Sequence, residues 1–96
     1  ASPWRAALLA NAAKLFKAAG YFTRASDYWR QAWEIGRDHA DPAVRGQAEY
    51  ALGEHLAVLV TFGQVERLEA DVRLAAGRDV RGLAGRRVAE AREALA

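Results

Sequence analysis

The sequence repeats itself at an offset of 43 residues, and this internal repeat limits the folds open to the chain more than any other feature. Identical residues recur at the offset in the pairs Leu9/Leu52, Gly20/Gly63, Arg24/Arg67, Arg30/Arg73 and Ala32/Ala75. The segment AREALA at 91–96 continues the alignment, matching AEYALG at 48–53. A period of about 20–50 residues is typical of stacked supersecondary units. We therefore expect two copies of one unit, followed by the beginning of a third.

Proline and glycine divide the chain into five predicted helices. Ser2-Pro3 and Asp41-Pro42 each place an N-cap residue before a proline suited to the first helical position. We expect Asp79 to cap the last helix in the same way. The glycines suited to a left-handed helix end are Gly20, Gly63 and Gly77. The predicted helices span about 3–19, 22–38, 42–62, 64–76 and 79–95, and no segment alternates as a strand would.

Each predicted helix has an apolar face, which we expect to form the core. In the first helix this face holds Trp4, Leu8, Leu9, Ala12, Leu15, Phe16 and Ala19. In the second it holds Tyr21, Phe22, Ala25, Tyr28, Trp29, Ala32 and Trp33. We interpret Phe22 and Trp29 as packing residues. Tyr28 and Trp33 flank the face, so the next layer, a partner and solvent all remain open for them.

The sequence offers little for catalysis, and we predict no catalytic, cofactor or metal site. His55 lies in the apolar face of the third helix, as a hydrogen-bonded core histidine would, and His39 lies in a turn. The two histidines lack the spacing of a metal pair. Ser26 lies at the edge of the second helix without a nearby histidine, and the chain has no cysteine. Glu66/Glu69 and Glu90/Glu93 are surface carboxylates that nothing in the sequence would tune for acid–base work.

The charge pattern favours a mixed, solvated surface. The net charge is +2, and the arginines from Arg67 to Arg92 are interleaved with acidic residues. A nucleic-acid contact through this region is therefore the lesser alternative. The absence of cysteine, of a signal segment and of about 18 consecutive apolar residues favours the cytoplasm and no membrane partner. We expect a fragment of a larger protein, since the chain does not begin with methionine, and its alanine and arginine bias favours a bacterial source.

The first unit resembles the tetratricopeptide repeat (TPR). The pattern is Ala13-x-x-Phe16-x-x-x-Gly20-x-Phe22-x-x-Ala25-x-x-x-Trp29-x-x-Ala32, in which small residues allow close helix approach and aromatic residues fill the gaps. The likeness covers 9–32 and extends to 52–75, where Leu56 and Leu68 replace small residues. The resemblance implies one all-α domain over 1–96, a right-handed α–α superhelix. Its parts are repeat 1 at about 3–40, repeat 2 at about 41–77 and a capping helix at about 79–95.

The resemblance also implies a non-catalytic interaction or scaffolding module. In such arrays the first helices of successive repeats line a groove that holds a peptide or partner segment. The residues placed in this groove are Asn11, Lys14, Lys17, Tyr50 and Glu54. Asn11 and Lys14 suit a peptide carboxylate or backbone, and Tyr50 suits an aromatic contact. The alternatives are that the two lysines only keep an alanine-rich helix soluble, and that the chain is a structural spacer or self-associates as a homo-oligomer.

Overall fold

A computed structural model describes residues 2–96, which are 79% helical and contain no strand. Five α-helices follow one another along the chain, and a short 3₁₀ turn, Arg73–Ala75, extends the fourth. The helices are α1 (Pro3–Ala18), α2 (Phe22–Gly36), α3 (Pro42–Thr61), α4 (Val65–Val72) and α5 (Gly82–Ala94). The all-α prediction is confirmed, and the first three helices begin within one residue of their predicted starts.

The predicted helix boundaries at the turns have the expected chemistry. The Asp41 carboxylate accepts a hydrogen bond from the Ala43 backbone N–H at 2.9 Å, which caps α3. Ser2 occupies the N-cap position of α1 without a side-chain hydrogen bond. Gly20 and Gly63, equivalent in the repeat, have φ of +89° and +62°. Both lie in the left-handed region that other residues rarely adopt, so each hairpin turns at the same repeat position.

The last helix begins later than predicted, and the fourth is shorter. Asp79 does not cap α5. Arg81 occupies the N-cap position instead, and its Nε and Nη2 both donate to Asp79 Oδ2, at 2.9 and 2.7 Å. Gly82 has φ +64°, which lies outside the right-handed helical region, so the regular geometry of α5 begins only after this residue. The α-helical part of the fourth helix stops at Val72 rather than 76, because its last turn tightens into the 3₁₀ turn.

Helix α3 is the centre of the molecule, and all of residues 51–56 are buried. It packs against α2 on one side and against α4 and α5 on the other. Two core clusters meet on it. The first consists of Ala13, Ala25, Trp29, Ala32, Ala51 and Val58. The second consists of Trp33, Ala48, Leu52, Leu56, Leu59, Leu68, Ala75, Val88 and Ala91. Every other helix is thus held to the molecule through α3 or through α2, which packs on it.

The aromatic stretch in α2 is core for the most part. Trp29 and Trp33 are buried, and each belongs to a different core cluster. Phe22 and Tyr28 are half-buried against the first cluster. Tyr21, expected on the apolar face, is exposed because it lies outside α2, at the N-cap position. The sequence left the surroundings of Trp33 open. In the structure it packs against the next layer of helices.

The apolar face predicted for the first helix is wrong in part. Trp4, Leu8 and Leu15 are 69%, 56% and 73% exposed. The opposite side of α1, which includes Ala13 and Phe16, packs against α2 instead. Small alanine side chains on that side let the two helices approach closely, and the larger residues are left facing outward. Two further apolar side chains are exposed: Phe62, which directly follows α3, and Val65, the first residue of α4.

Candidate functional site

A cavity of about 290 Å³ lies between α1 and α3. Three of the residues predicted for a partner groove, Asn11, Lys14 and Tyr50, line it together. The remaining lining residues are Ala7, Ala10, Trp29, Gln47 and Ala51. The family resemblance implied a groove between these same two helices.

Helical spacing explains how the polar groups come together. Asn11 and Lys14 are three residues apart on α1, and Gln47 and Tyr50 are three apart on α3, so each pair shares one helix face. All four residues are exposed at the cavity rim. Beneath them lies Trp29, which is only 2% exposed. The site therefore joins an apolar aromatic floor to two amides, a phenol and an ammonium group, the composition expected of a small recognition pocket.

Two predicted groove residues, Lys17 and Glu54, lie outside this cavity. Glu54 is 5% exposed, because α5 packs over its side of α3. Its carboxylate is 3.7 Å from Lys17 Nζ and 2.7 Å from Arg87 Nε, the latter as an ion pair without aligned hydrogen-bond geometry. Lys17 Nζ also lies 5.8 Å from the centre of the Trp29 ring. These contacts join α1, α3 and α5, and Lys17 and Glu54 together line a second, smaller cavity of about 120 Å³.

A buried hydrogen-bonded chain of three side chains connects α2, α3 and α4. Ser26 Oγ lies 2.5 Å from His55 Nδ1, and His55 Nε2 lies 2.6 Å from Asp71 Oδ2. Since a carboxylate only accepts hydrogen bonds, neutral His55 donates its Nε2–H to Asp71 and accepts the Ser26 hydroxyl at Nδ1. The expectation of a hydrogen-bonded core histidine is confirmed. The statement that Ser26 has no nearby histidine is wrong, because these residues are 29 positions apart and only the packing of α2 on α3 joins them.

Burial sets the protonation state of this chain. Desolvation lowers the pKa of His55 below its usual value, and this outweighs the opposing effect of the Asp71 carboxylate. Arg67 and Arg30 lower the pKa of His55 further through their charges. Ser26 and His55 are 1% and 0% exposed. The order of the three groups is that of a proton relay in hydrolases. Ser26 lines a cavity of about 300 Å³ together with Phe22, Val58 and Gln64, although little of its own surface is exposed. The hydrogen-bonded chain also links α2, α3 and α4 to one another.

The sequence offered one usable signal for this buried chain. A single histidine in the middle of an apolar helix face requires polar partners from neighbouring helices, because an unsatisfied buried imidazole is costly. Nothing in local spacing identifies Ser26 and Asp71 as those partners. Gln47 and Trp29 were likewise not assigned to the groove, since only the crossing of α1 and α3 over α2 brings them to it.

Other kinds of site find little support in the part of the chain that the structure describes. Residues 2–96 contain no group of three histidine, aspartate or glutamate side chains placed to hold a metal ion. Over the same residues, no helix is both long and apolar enough to cross a membrane. The chain matches no family model, and no curated protein or solved structure is significantly similar to it.

Proposed function

We propose that this chain is a TPR-like interaction module that binds an extended peptide or partner segment in the cavity between α1 and α3. The observation that carries the proposal is the joining of Asn11, Lys14 and Tyr50 at one concave site. The site is open between two helices, so a chain can pass across it rather than having to be enclosed. The module has no catalytic role in this proposal.

The finer architecture in this proposal is a right-handed α–α superhelix of two helical hairpins and a capping helix. Three features support it. The repeat offset of 43 residues pairs α1 with α3 and α2 with α4. The hairpin turns use equivalent left-handed glycines, Gly20 and Gly63. In addition, α5 packs against α3, as the first helix of a following unit would.

The chemistry of the cavity favours a peptide with a carboxylate near an apolar side chain. Lys14 supplies a positive charge at the rim, while Asn11 and Gln47 offer both donors and acceptors for backbone groups. Trp29 and the alanines supply an apolar surface for one side chain of the ligand. A volume of about 290 Å³ fits a few residues at most, so we expect modest affinity that depends on this short stretch.

The charged surface gives less support to a nucleic-acid partner. Among the arginines of the last third, Arg67 pairs with Asp27, Arg78 with Asp38 and Arg81 with Asp79. Guanidinium groups held by carboxylates make a poor phosphate-binding stripe, because each pair presents little net positive charge.

Selection from a displayed random-peptide library tests the groove. We expect the 96-residue protein to enrich a carboxylate-bearing consensus, and the double variant Lys14→Glu/Tyr50→Ala to lose at least about tenfold in affinity for it. Because both side chains are exposed, the melting temperature should stay nearly unchanged. Arg86→Glu makes the same charge change at an exposed site on α5 and should bind normally. Failure to enrich any consensus would favour the structural spacer, and enrichment that ignores the double variant would place binding elsewhere.

A further inference from the structure

The outer face of α1 exposes three large apolar side chains to solvent. Trp4, Leu8 and Leu15 lie within about 40° of each other at the helical period, and all three are more than half exposed. We call these three residues the α1 stripe. Together they expose on the order of 400 Å² of apolar surface, a size at which patches on monomers are often functional. The stripe lies beside the cavity between α1 and α3 but lines none of it.

The internal repeat indicates what kind of element covers such a face. At the offset of 43 residues, Leu8 corresponds to Ala51 and Leu15 corresponds to Val58. Ala51 and Val58 are buried in the core cluster where α3 packs on the first hairpin. Trp4 corresponds to Gln47, which is exposed. The part of the α1 stripe at Leu8 and Leu15 is therefore the repeat equivalent of a helix face that is covered by helices in the second hairpin. Its larger side chains fit a wider gap than the one that Ala51 fills.

The charges around the stripe restrict the partner further. Helix α1 carries Arg5, Lys14 and Lys17 and no acidic residue in its sixteen positions. A second copy of α1 would bring only further cations to this surface. A helix with carboxylates beside its apolar face would instead form attractive pairs.

We propose that the α1 stripe is a docking surface for an amphipathic α-helix of a partner protein, with large apolar residues on one face and glutamate or aspartate on its flanks. The apolar side chains of that helix cover Trp4, Leu8 and Leu15. Its carboxylates lie near Arg5 and Lys14, one on each side of the stripe. This surface shares Lys14 with the rim of the cavity between α1 and α3, but its apolar residues line none of that cavity.

Two synthetic helical peptides with the same leucine face test the proposal, one with glutamate flanks and one with lysine flanks. Of the three tryptophans only Trp4 is exposed, so a blue shift of tryptophan emission reports on the stripe. We expect the glutamate peptide to bind at least about tenfold more tightly than the lysine peptide at low salt, with the difference shrinking as salt screens the charges. Leu8→Gln/Leu15→Gln should remove this binding, while Leu83→Gln, an exposed leucine on α5, should not.

Several results would overturn the proposal. One is equal binding of both peptides, which would mean that only nonspecific apolar contact occurs. Another is no binding of either peptide at millimolar concentration. A third is self-association of the protein that sedimentation detects and Leu8→Gln/Leu15→Gln abolishes, since a second copy would then be the occupant. Tyr50→Ala distinguishes this surface from the groove, because it removes a cavity contact and leaves the stripe intact.

Discussion

At the residue scale, the most consequential side chain inside the bundle is His55. Its ring is fully buried, and each ring nitrogen has one partner, Ser26 or Asp71, from a different helix. A neutral imidazole suits both partners, because it can accept from a hydroxyl and donate to a carboxylate at once. A protonated imidazole would donate at both nitrogens and would place a charge where water does not reach.

Stability should therefore depend on pH through His55. Its pKa is lowered in the folded protein relative to about 6.5 in the unfolded chain. Below pH 6.5 the unfolded state binds more protons than the folded state, so the full contribution is present above pH 6.5 and is lost as pH falls. We expect the free energy of unfolding, measured with urea, to fall by up to about 1.4 kcal/mol per pH unit in this range.

Two variants isolate this effect. His55→Gln keeps hydrogen-bonding capacity but does not titrate, so its unfolding free energy should change less between pH 7.5 and 5.5 than that of the wild type. His39→Gln removes the other histidine, whose ring Nδ1 accepts a hydrogen bond from the Asp41 backbone N–H, and serves as the comparison for a histidine replaced outside the core. Equal slopes for the wild type and His55→Gln would contradict the assignment. The charged groups that face His55, Asp71, Arg67 and Arg30, are unchanged in both variants.

At the element scale, α3 and α5 approach unusually closely at Gly53. A Cβ atom built at this position would lie 3.1 Å from the Ala84 Cα, whereas one at Gly46, on the exposed part of the same helix, would meet nothing within 4 Å. Both glycines are in α3, so replacing either with alanine removes the same intrinsic helix penalty of about 1 kcal/mol. The surroundings alone should decide the sign of the change.

The pair Gly46→Ala and Gly53→Ala measures this approach. We expect Gly46→Ala to stabilise the protein by about 0.5–1 kcal/mol, since it gains helix propensity without a new contact. Gly53→Ala should be less stable than Gly46→Ala by at least about 1 kcal/mol. The new methyl group would either push α5 away from α3 or remain in a strained contact with its backbone. Thermal unfolding of both proteins under one condition checks the difference. Equal melting temperatures would mean that α5 moves away from α3 without a loss of stability.

The starts and buried faces of the helices differ in how well the sequence predicts them. The starts of α1, α2 and α3 were predictable, because proline, Asp41 and the glycine turns act locally. The start of α5 was not predictable, because the Asp79 carboxylate could accept hydrogen bonds either from the backbone of the next helix or from a nearby arginine. In the structure it accepts from Arg81. The inward face of α1 was also not predictable, because that helix is apolar on both sides. The resemblance to the tetratricopeptide repeat put Lys14 and Tyr50 on facing helices, and both line one cavity, whereas the burial of Glu54 depends on the docking of α5.

At the scale of the whole molecule, both core clusters share α3, so neither hairpin has an interior of its own. Trp29 belongs to one cluster and Trp33 to the other. We expect a single cooperative unfolding transition, because losing either cluster uncovers the helix on which the other is built.

Single-tryptophan proteins test this cooperativity. Trp4→Phe/Trp33→Phe keeps only Trp29, and Trp4→Phe/Trp29→Phe keeps only Trp33, so each reports on one cluster. Within each protein, the urea midpoint from fluorescence should equal the midpoint from circular dichroism, whose spectrum should be strongly helical. Separate midpoints would indicate hairpins that unfold one after the other, as units of longer repeat arrays do.

The position of Trp29 bears on how this protein can change its ligands over evolution. One face of the indole is the floor of the cavity, and the rest of it holds α1, α2 and α3 together. Under the proposed function, a substitution there alters both peptide recognition and stability, so selection for stability restrains it. The four rim residues are exposed, so their substitution has little effect on stability: Asn11, Lys14, Gln47 and Tyr50. New binding specificities are therefore expected to arise by substitution of these four rim residues, while Trp29 is retained.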